Sequence, residues 1–226
     1  MRIITDFDGP IMDLSDRYYH VYQFCLAKVK QPNQPLQILT KVEFWMYKRA
    51  QVSERKIGIE SGLTAIQAEE FKELRDRHAH QLQYLSLDRV VPESIAALAR
   101  IQASGSELFV MTLRRTCELE PALHQSNLDR FFPPNSRYCL PDDYVKHGDV
   151  EAKTKLMATA LTELPPDPNT WMVGDTEADI VAAKTHGIKV IGVLSGIRDR
   201  DRLAQYQPDK IVANLAAAVA FILDRQ

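Results

Sequence analysis

The sequence predicts an α/β protein: a parallel sheet covered by helices on both faces, with a small helical domain inserted after the first strand. Three observations lead there. Short β-rich apolar runs alternate with helix-length amphipathic segments from about residue 90 onward, and that alternation implies parallel pairing through helical crossovers. A further β-rich run stands at the start, Arg2-Ile3-Ile4-Thr5, stopped by Asp6-Phe7-Asp8-Gly9-Pro10. Between it and the next run, about Leu14 to Arg89, the patterning is helical and strand-like runs are few. Residues 1–13 and 90–226 are therefore assigned to the core, and residues 14–89 to the inserted domain.

The elements follow in order. In the insertion, Tyr18, Tyr19, Tyr22, Phe24 and Leu26 begin the apolar pattern, Phe44-Trp45-Met46-Tyr47 mark its middle, and Phe71, Leu74, Leu82 and Leu85 its end. A polar break falls at Gln31-Pro32-Asn33-Gln34-Pro35. In the core, Pro92 to Gln102 carries Ile95, Leu98, Ala99 and Ile101 at helical spacing, and Gly105 can end it. A second strand, Leu108 to Thr112, comes next. Lys153 to Leu164 reads as a helix with Leu156, Met157, Ala160 and Leu161 on one face. Strand Thr170 to Val173 closes on Gly174-Asp175, and helix Glu177 to His186 ends before Gly187. Strands Ile188–Val193 and Lys210–Val212 and an Ala-rich helix, Leu215 to Leu223, complete the pattern.

Composition narrows the function. The net charge is -2, with 45% hydrophobic and 26% charged residues, so no bulk field favours nucleic acid or a membrane surface. An anionic substrate needs a local cationic site. Cys25, Cys117 and Cys139 are odd in number and far apart, which fits reduced thiols rather than a zinc site or a disulfide framework. The first residues lack the apolar core of a signal peptide, and no run approaches a membrane span. A cytoplasmic location is the expectation.

Ligands bind open parallel sheets at the carboxyl ends of the strands. There the sequence places Asp6 and Asp8 after the first strand, Thr112 at the end of the second, and Asp175 with Asp179 after the third; Lys153 opens the preceding helix. Clustered carboxylates repel unless a cation sits among them, and oxygen ligands beside a phosphate favour Mg²⁺. Asp6 suits a nucleophile, and Asp8 a proton donor to the leaving alkoxide and then a base for water. Thr112 and Lys153 suit the equatorial phosphoryl oxygens, and Asp175 the metal.

Asp6-Phe7-Asp8-Gly9, Met111-Thr112, Lys153 and Gly174-Asp175-Thr176-Glu177-Ala178-Asp179 resemble, in order, the four motifs of the haloacid dehalogenase superfamily, over essentially the whole chain. The layout is most similar to the phosphoglycolate phosphatase and β-phosphoglucomutase branch. The resemblance implies a Rossmann-like core, a helical cap at 14–89 that sets substrate choice, Mg²⁺ and an aspartyl-phosphate. It further implies that Asp6, the main-chain carbonyl of Asp8, and Asp175 are the metal ligands, with Asp179 orienting the site. An aspartate at position 8 distinguishes phosphatases from carbon–halogen hydrolases, in which no alkoxide needs a proton. Pro10 departs from the family, where Thr or Val commonly follows the Gly, and the Lys-Pro pair of many relatives is missing before Lys153. Lys155 and, more weakly, Lys146 therefore compete with Lys153.

Each motif alone has a plainer reading. Asp-x-Asp-Gly also occurs in surface turns and calcium loops, Gly-Asp-x-x-x-Asp can be a helix cap, and most lysines are solvated. Phe44-Trp45-Met46-Tyr47 reads as domain core, Lys48, Arg49, Arg55 and Lys56 as a solvated helix face, and Arg114 and Arg115 as possible contacts to a second anionic group. The histidines, His78, His80 and His147 among them, are assigned no role. The ordered set favours phosphatase action on a small phosphorylated metabolite. A phosphomutase and a non-catalytic sensor are the alternatives, and substrate and oligomeric state are not readable.

Overall fold

The computed structural model describes residues 1–145 and 148–224; Lys146 and His147 lie outside the described residues. The chain forms two compact units, Met1–Asp13 with Val90–Gln226, and Leu14–Arg89. In chain order, β1 (Arg2–Thr5) and β2 (Met12–Asp13) lead into helices α1 (Ser15–Val29), α2 (Lys41–Arg49), α3 (Glu54–Glu60), α4 (Ala65–His78) and α5 (Leu82–Leu85). Then come β3 (Arg89–Val90), α6 (Pro92–Ala103), β4 (Glu107–Arg115), α7 (Thr116–Gln125), β5 (Arg137–Leu140) and α8 (Asp149–Glu163). The chain ends with β6 (Thr170–Gly174), α9 (Glu177–Thr185), β7 (Lys189–Val193), α10 (Arg200–Ala204), β8 (Lys210–Val212) and α11 (Leu215–Leu223).

Six strands pair in the order β5-β4-β1-β6-β7-β8, all parallel. Alternate strand residues face opposite sides of a sheet. On one side Ile4, Phe109, Met111, Met172 and Val190 share a core with Met157 and Ala160 of α8 and Ile180 and Ala183 of α9. On the other, Trp171 meets Phe221 of α11 edge-on, ring centroids 6.1 Å apart, and α6 packs against α11 and β4. Ile3 and Ile4 are both fully buried. That is why these strands read as continuous apolar runs rather than alternations. The two-residue strands β2 and β3 pair as a separate ribbon.

In the core, the structure corrects the sequence reading at β4, at β5 and at the start of α8, among other places. Strand β4 runs on to Arg115, so Thr112 lies within it rather than at its end. The added length pairs with β5, an edge strand the sequence reading omits, and their register shifts between Met111 and Arg115. Helix α8 begins at Asp149, so Lys153 sits in its second turn and does not open it. Gly148 precedes that start, and Asp149 and Glu151 put negative charge where the helix dipole favours it.

In the second unit, Val21, Tyr22, Cys25, Leu26, Phe44, Ile57, Phe71 and Tyr84 form one core. Thr40 with Glu43 and Thr64 with Gln67 close capping boxes on α2 and α4. Two expectations hold only in part: Tyr47 packs against this core beside Phe44, and Arg55 and Lys56 are exposed, but Met46 and Lys48 depart. Of the aromatic run only Phe44 is fully buried, and Met46 is 63% exposed, because two residues apart on a helix is nearly the opposite face. Lys48 is not solvated: it pairs with Glu54, which also takes Arg75 in two hydrogen bonds of 3.3 and 3.2 Å. Arg17 and Asp88, from opposite ends of the unit, form a buried ion pair at 2.8 Å. The three cysteines are free thiols. Among the described residues no helix is long and apolar enough to cross a membrane.

From β1 the chain works outward to β4 and β5, then returns to the other side of β1 as β6. This reversal makes a crevice between the carboxyl ends of β1 and β6, where ligands bind such sheets. Asp6 directly follows β1 and Asp175 directly follows β6.

Candidate active site

Asp6 continues the β1 ladder for one more residue, its N–H donating to Val173 O at 2.8 Å. That fixes its main chain and leaves the carboxylate, 7% exposed, in the crevice. Its Oδ1 accepts from Phe7 N at 2.7 Å and lies 3.0 Å from Lys153 Nζ. Burial raises the Asp6 carboxyl well above the ordinary range; Lys153 opposes this, while Asp179, Asp175 and Asp8 add to it.

Lys153 reaches the crevice because α8 packs on β4 and β5. Its ammonium is 1% exposed and also lies 2.8 Å from Asp179 Oδ1. Burial alone would lower its pKa, but Asp179 and Asp6 outweigh burial and hold the lysine above its usual range. Lys155, the competitor, is 72% exposed and pairs with Glu151 at 2.6 Å. Asp179 turns its second oxygen to Thr176, accepting from its N at 3.1 Å and Oγ1 at 2.8 Å, and thereby caps α9.

Asp6, Asp175 and Asp179 are all buried, with one carboxylate oxygen of each within 4.8 Å of the others. Burial first, then Asp179 and Asp8, push the Asp175 carboxyl up to about 7, against the N–H of Ile197 and the charge of Arg198. The backbone is shaped around Asp175. A Cβ at Gly9 (φ +87°) would lie 2.4 Å from Asp175 Cγ, and one at Gly196 would lie 1.9 Å from Oδ2, so only glycine fits either position. Three buried carboxylates against one lysine leave excess negative charge. Hard oxygen donors this close together suit a hard divalent cation, whose charge would offset their repulsion.

Thr112 is buried, and its Oγ1 accepts from Arg114 N at 3.1 Å. The register Thr5↔Val110 puts it level with Phe7, beyond the end of β1. The Asp8 carboxylate is not part of the three-acid cluster. It is gripped by Arg114, whose Nε donates to Oδ1 at 3.0 Å and Oδ2 at 3.1 Å, and whose Nη2 donates to Oδ1 at 2.6 Å.

The sequence reading missed the loop after β7. Ile197 N donates to Asp175 Oδ2 at 2.7 Å, and Arg198 pairs with Glu177 through two bonds of 2.7 and 2.8 Å, tying this loop to the start of α9. The available signal was Ser195-Gly196 directly after an apolar strand, a turn at a carboxyl end.

Comparison with known proteins agrees with this architecture. The HAD-hydrolase-like family matches residues 152–218. The chain is 27% identical over 145 residues to pyrophosphatase PpaX of Anoxybacillus flavithermus, a match covering 64% of each protein. The chain thus spans less than two thirds of that relative. It is 22% identical over 227 residues to a phosphoglycolate phosphatase of Pseudomonas fluorescens, covering 98% of this chain and 79% of that one. The solved haloacid dehalogenase-like family hydrolase of Streptococcus pneumoniae superposes with a TM-score of 0.68 at 18% identity, covering 97% of both chains. These similarities are to haloacid dehalogenase-like hydrolases, the family model matching residues 152–218. The fold is likewise similar to that of a putative β-phosphoglucomutase from Thermotoga maritima, at a TM-score of 0.64 and 20% identity over 100% of this chain and 99% of that one.

Proposed function

We propose that the chain is a Mg²⁺-dependent phosphatase of a small phosphorylated metabolite, with Asp6 as nucleophile, and that it works in the cytoplasm without nucleic-acid or membrane partners. The observation that carries the reading is the buried Lys153 ammonium, 3.0 Å from Asp6 and 2.8 Å from Asp179, beside Asp175 at the switch point of the sheet. A buried lysine steers and charges a nucleophilic carboxylate while offering a cation to phosphoryl oxygens. The names of the relatives, a pyrophosphatase and a phosphoglycolate phosphatase, point to the same class of substrate.

In this reading Asp6, Asp175 and the main-chain carbonyl of Asp8 hold Mg²⁺, and Asp179 orients Lys153. When bound, the ion supplies positive charge that keeps the carboxylates ionised and draws the phosphate against them. An Asp6 oxygen attacks phosphorus while Lys153 and Thr112 hold the equatorial oxygens. The bond to the leaving oxygen breaks, its electron pair stays on that oxygen, and Asp8 donates a proton there. Water then attacks the aspartyl-phosphate, its proton passes to Asp8, and the Asp6–phosphorus bond breaks to release phosphate and restore both residues.

Hydrolysis of an aryl phosphate with Mg²⁺, with EDTA and in Asp6→Asn tests this. Turnover is expected only in the unmodified protein with Mg²⁺, and acid quenching is expected to trap phosphate on it but not on Asp6→Asn. Turnover that survives in Asp6→Asn would sink the reading.

A further inference from the structure

We propose that Arg198, forked onto Glu177, is the positioning residue that holds the Ile197 N–H on Asp175 and thereby sets the affinity of the three-acid site for a divalent cation. The identity of the cation rests on the Mg²⁺ reading above; the clamp itself does not.

Residues 194–199 join β7 to α10 and are pinned at both ends. Leu194 N donates to Val212 O at 3.0 Å, and Asp199 Oδ1 accepts from Arg202 N at 2.9 Å, capping α10. Between those pins the loop meets Asp175. Ile197 N donates to Oδ2 at 2.7 Å, and Gly196 is so close that a Cβ there would lie 1.9 Å from the same oxygen. Arg198 holds the middle of the loop in that place. Its Nε and Nη2 donate to the two carboxylate oxygens of Glu177 at 2.7 and 2.8 Å, and its Nη1 donates to Ile197 O at 3.3 Å. One guanidinium thus grips the first residue of α9 and the carbonyl of the residue whose N–H meets Asp175.

These contacts close a ring. The chain runs from Asp175 through Thr176 to Glu177, the fork crosses to Arg198, and the N–H of the preceding Ile197 returns to Asp175. In so short a ring each contact keeps the ends of the other together, so the fork and the N–H bond support one another. A bidentate fork fixes direction as well as distance. Its two side chains are 16% and 19% exposed, so water and salt screen the pair only in part. An N–H on one carboxylate oxygen fixes the rotation of the group, and a partner that orients a metal ligand is worth about 10- to 100-fold in affinity. By linkage, a cation held at Asp175 tightens the loop as much as the loop tightens the cation.

The test titrates Mg²⁺ calorimetrically into the unmodified protein, Arg198→Met, Arg198→Lys, Glu177→Gln and the Arg198→Met/Glu177→Gln double variant. Hydrogen exchange at the Ile197 amide is followed by NMR with and without Mg²⁺. Each of Arg198→Met and Glu177→Gln is expected to weaken binding about 10-fold, and the double variant no more than either. Arg198→Lys, which keeps the charge and a donor, is expected to lose less. Exchange at Ile197 is expected to quicken in Arg198→Met without Mg²⁺, and to slow when Mg²⁺ is added to the unmodified protein. An unfolded fraction lowers the stoichiometry and not the dissociation constant, and a merely structural arginine would leave that constant where it was. An unchanged constant in Arg198→Met, losses that multiply in the double variant, or Ile197 exchange indifferent to Arg198 overturns the proposal. Asp175→Asn is titrated alongside. If it binds Mg²⁺ as the unmodified protein does, or if neither binds, the Mg²⁺ reading falls instead, and exchange at Ile197 still judges the clamp.

Discussion

Replacing Gly196 by alanine tests whether the pocket around Asp175 is as tight as its geometry says. The added methyl would lie 1.9 Å from Asp175 Oδ2, 2.2 Å from Cγ and 2.4 Å from Cβ, whereas real Cβ contacts essentially never fall below 3.0 Å. The gap must open by about 1.1 Å. Asp175 has little room to move, because Gly9 also crowds it: a Cβ there would be 2.4 Å from the same Cγ. Either the carboxylate swings off the N–H of Ile197 or the loop lifts and takes that N–H away. A misplacement of about 1 Å costs about 10²-fold in rate. Loss of a supporting hydrogen bond weakens metal binding by about 10- to 100-fold. Calorimetric titration with Mg²⁺ and kcat/KM for an aryl phosphate read the two effects separately. Gly105→Ala is the control: its φ is +72° with nothing within 4 Å, so it carries backbone strain of about 1 kcal/mol away from the site. Gly196→Ala that folds and keeps both Mg²⁺ affinity and kcat/KM would refute the reasoning.

Lys153→Met is expected to leave Asp6 and Asp179 without their shared buried cation, lowering stability by about 3 kcal/mol and abolishing turnover; a melting temperature equal to the parent's would contradict this. Glu54 gives a pH test in the second unit. Its burial is outweighed by Arg75 and Lys48, which hold it at about 2, down from 4.5. A lowered pKa adds stability that is complete above about pH 4.5 and lost as pH falls through 2. Urea unfolding should show the gap between the parent and Glu54→Gln closing by about 3 kcal/mol between those pH values. A gap that stays constant across that range would dismiss the ion pairs as its cause.

Fold class was legible because strands buried on both faces must be apolar throughout, as Ile3-Ile4 and Trp171-Met172-Val173 are. Strand β5, Arg137-Tyr138-Cys139-Leu140, was not: an edge strand keeps one flank unpaired and tolerates polar residues. Helix α7 hid behind Pro121, which ordinarily breaks a helix interior. The start of α8 was misplaced because its first turn is stabilised by charge rather than by burial. At the site, ordered motifs named the acids and Lys153, since each sits at a fixed step past a strand or on a buried helix face. The grip of Arg114 on Asp8 and the support of Asp175 by the loop after β7 join residues 106 and 22 positions apart, and local patterning carries no such pairing.

The buried Arg17–Asp88 pair, together with the ribbon of β2 and β3, has a consequence for the chain's evolution and engineering. Entry to and exit from residues 14–89 are clasped side by side, so the sheet meets that whole excursion as though it were a hairpin. Its length is nearly invisible to the sheet, since closing a longer loop adds cost only logarithmically. Segments of other sizes and sequences can be grafted between Asp13 and Val90 while the sheet keeps its register.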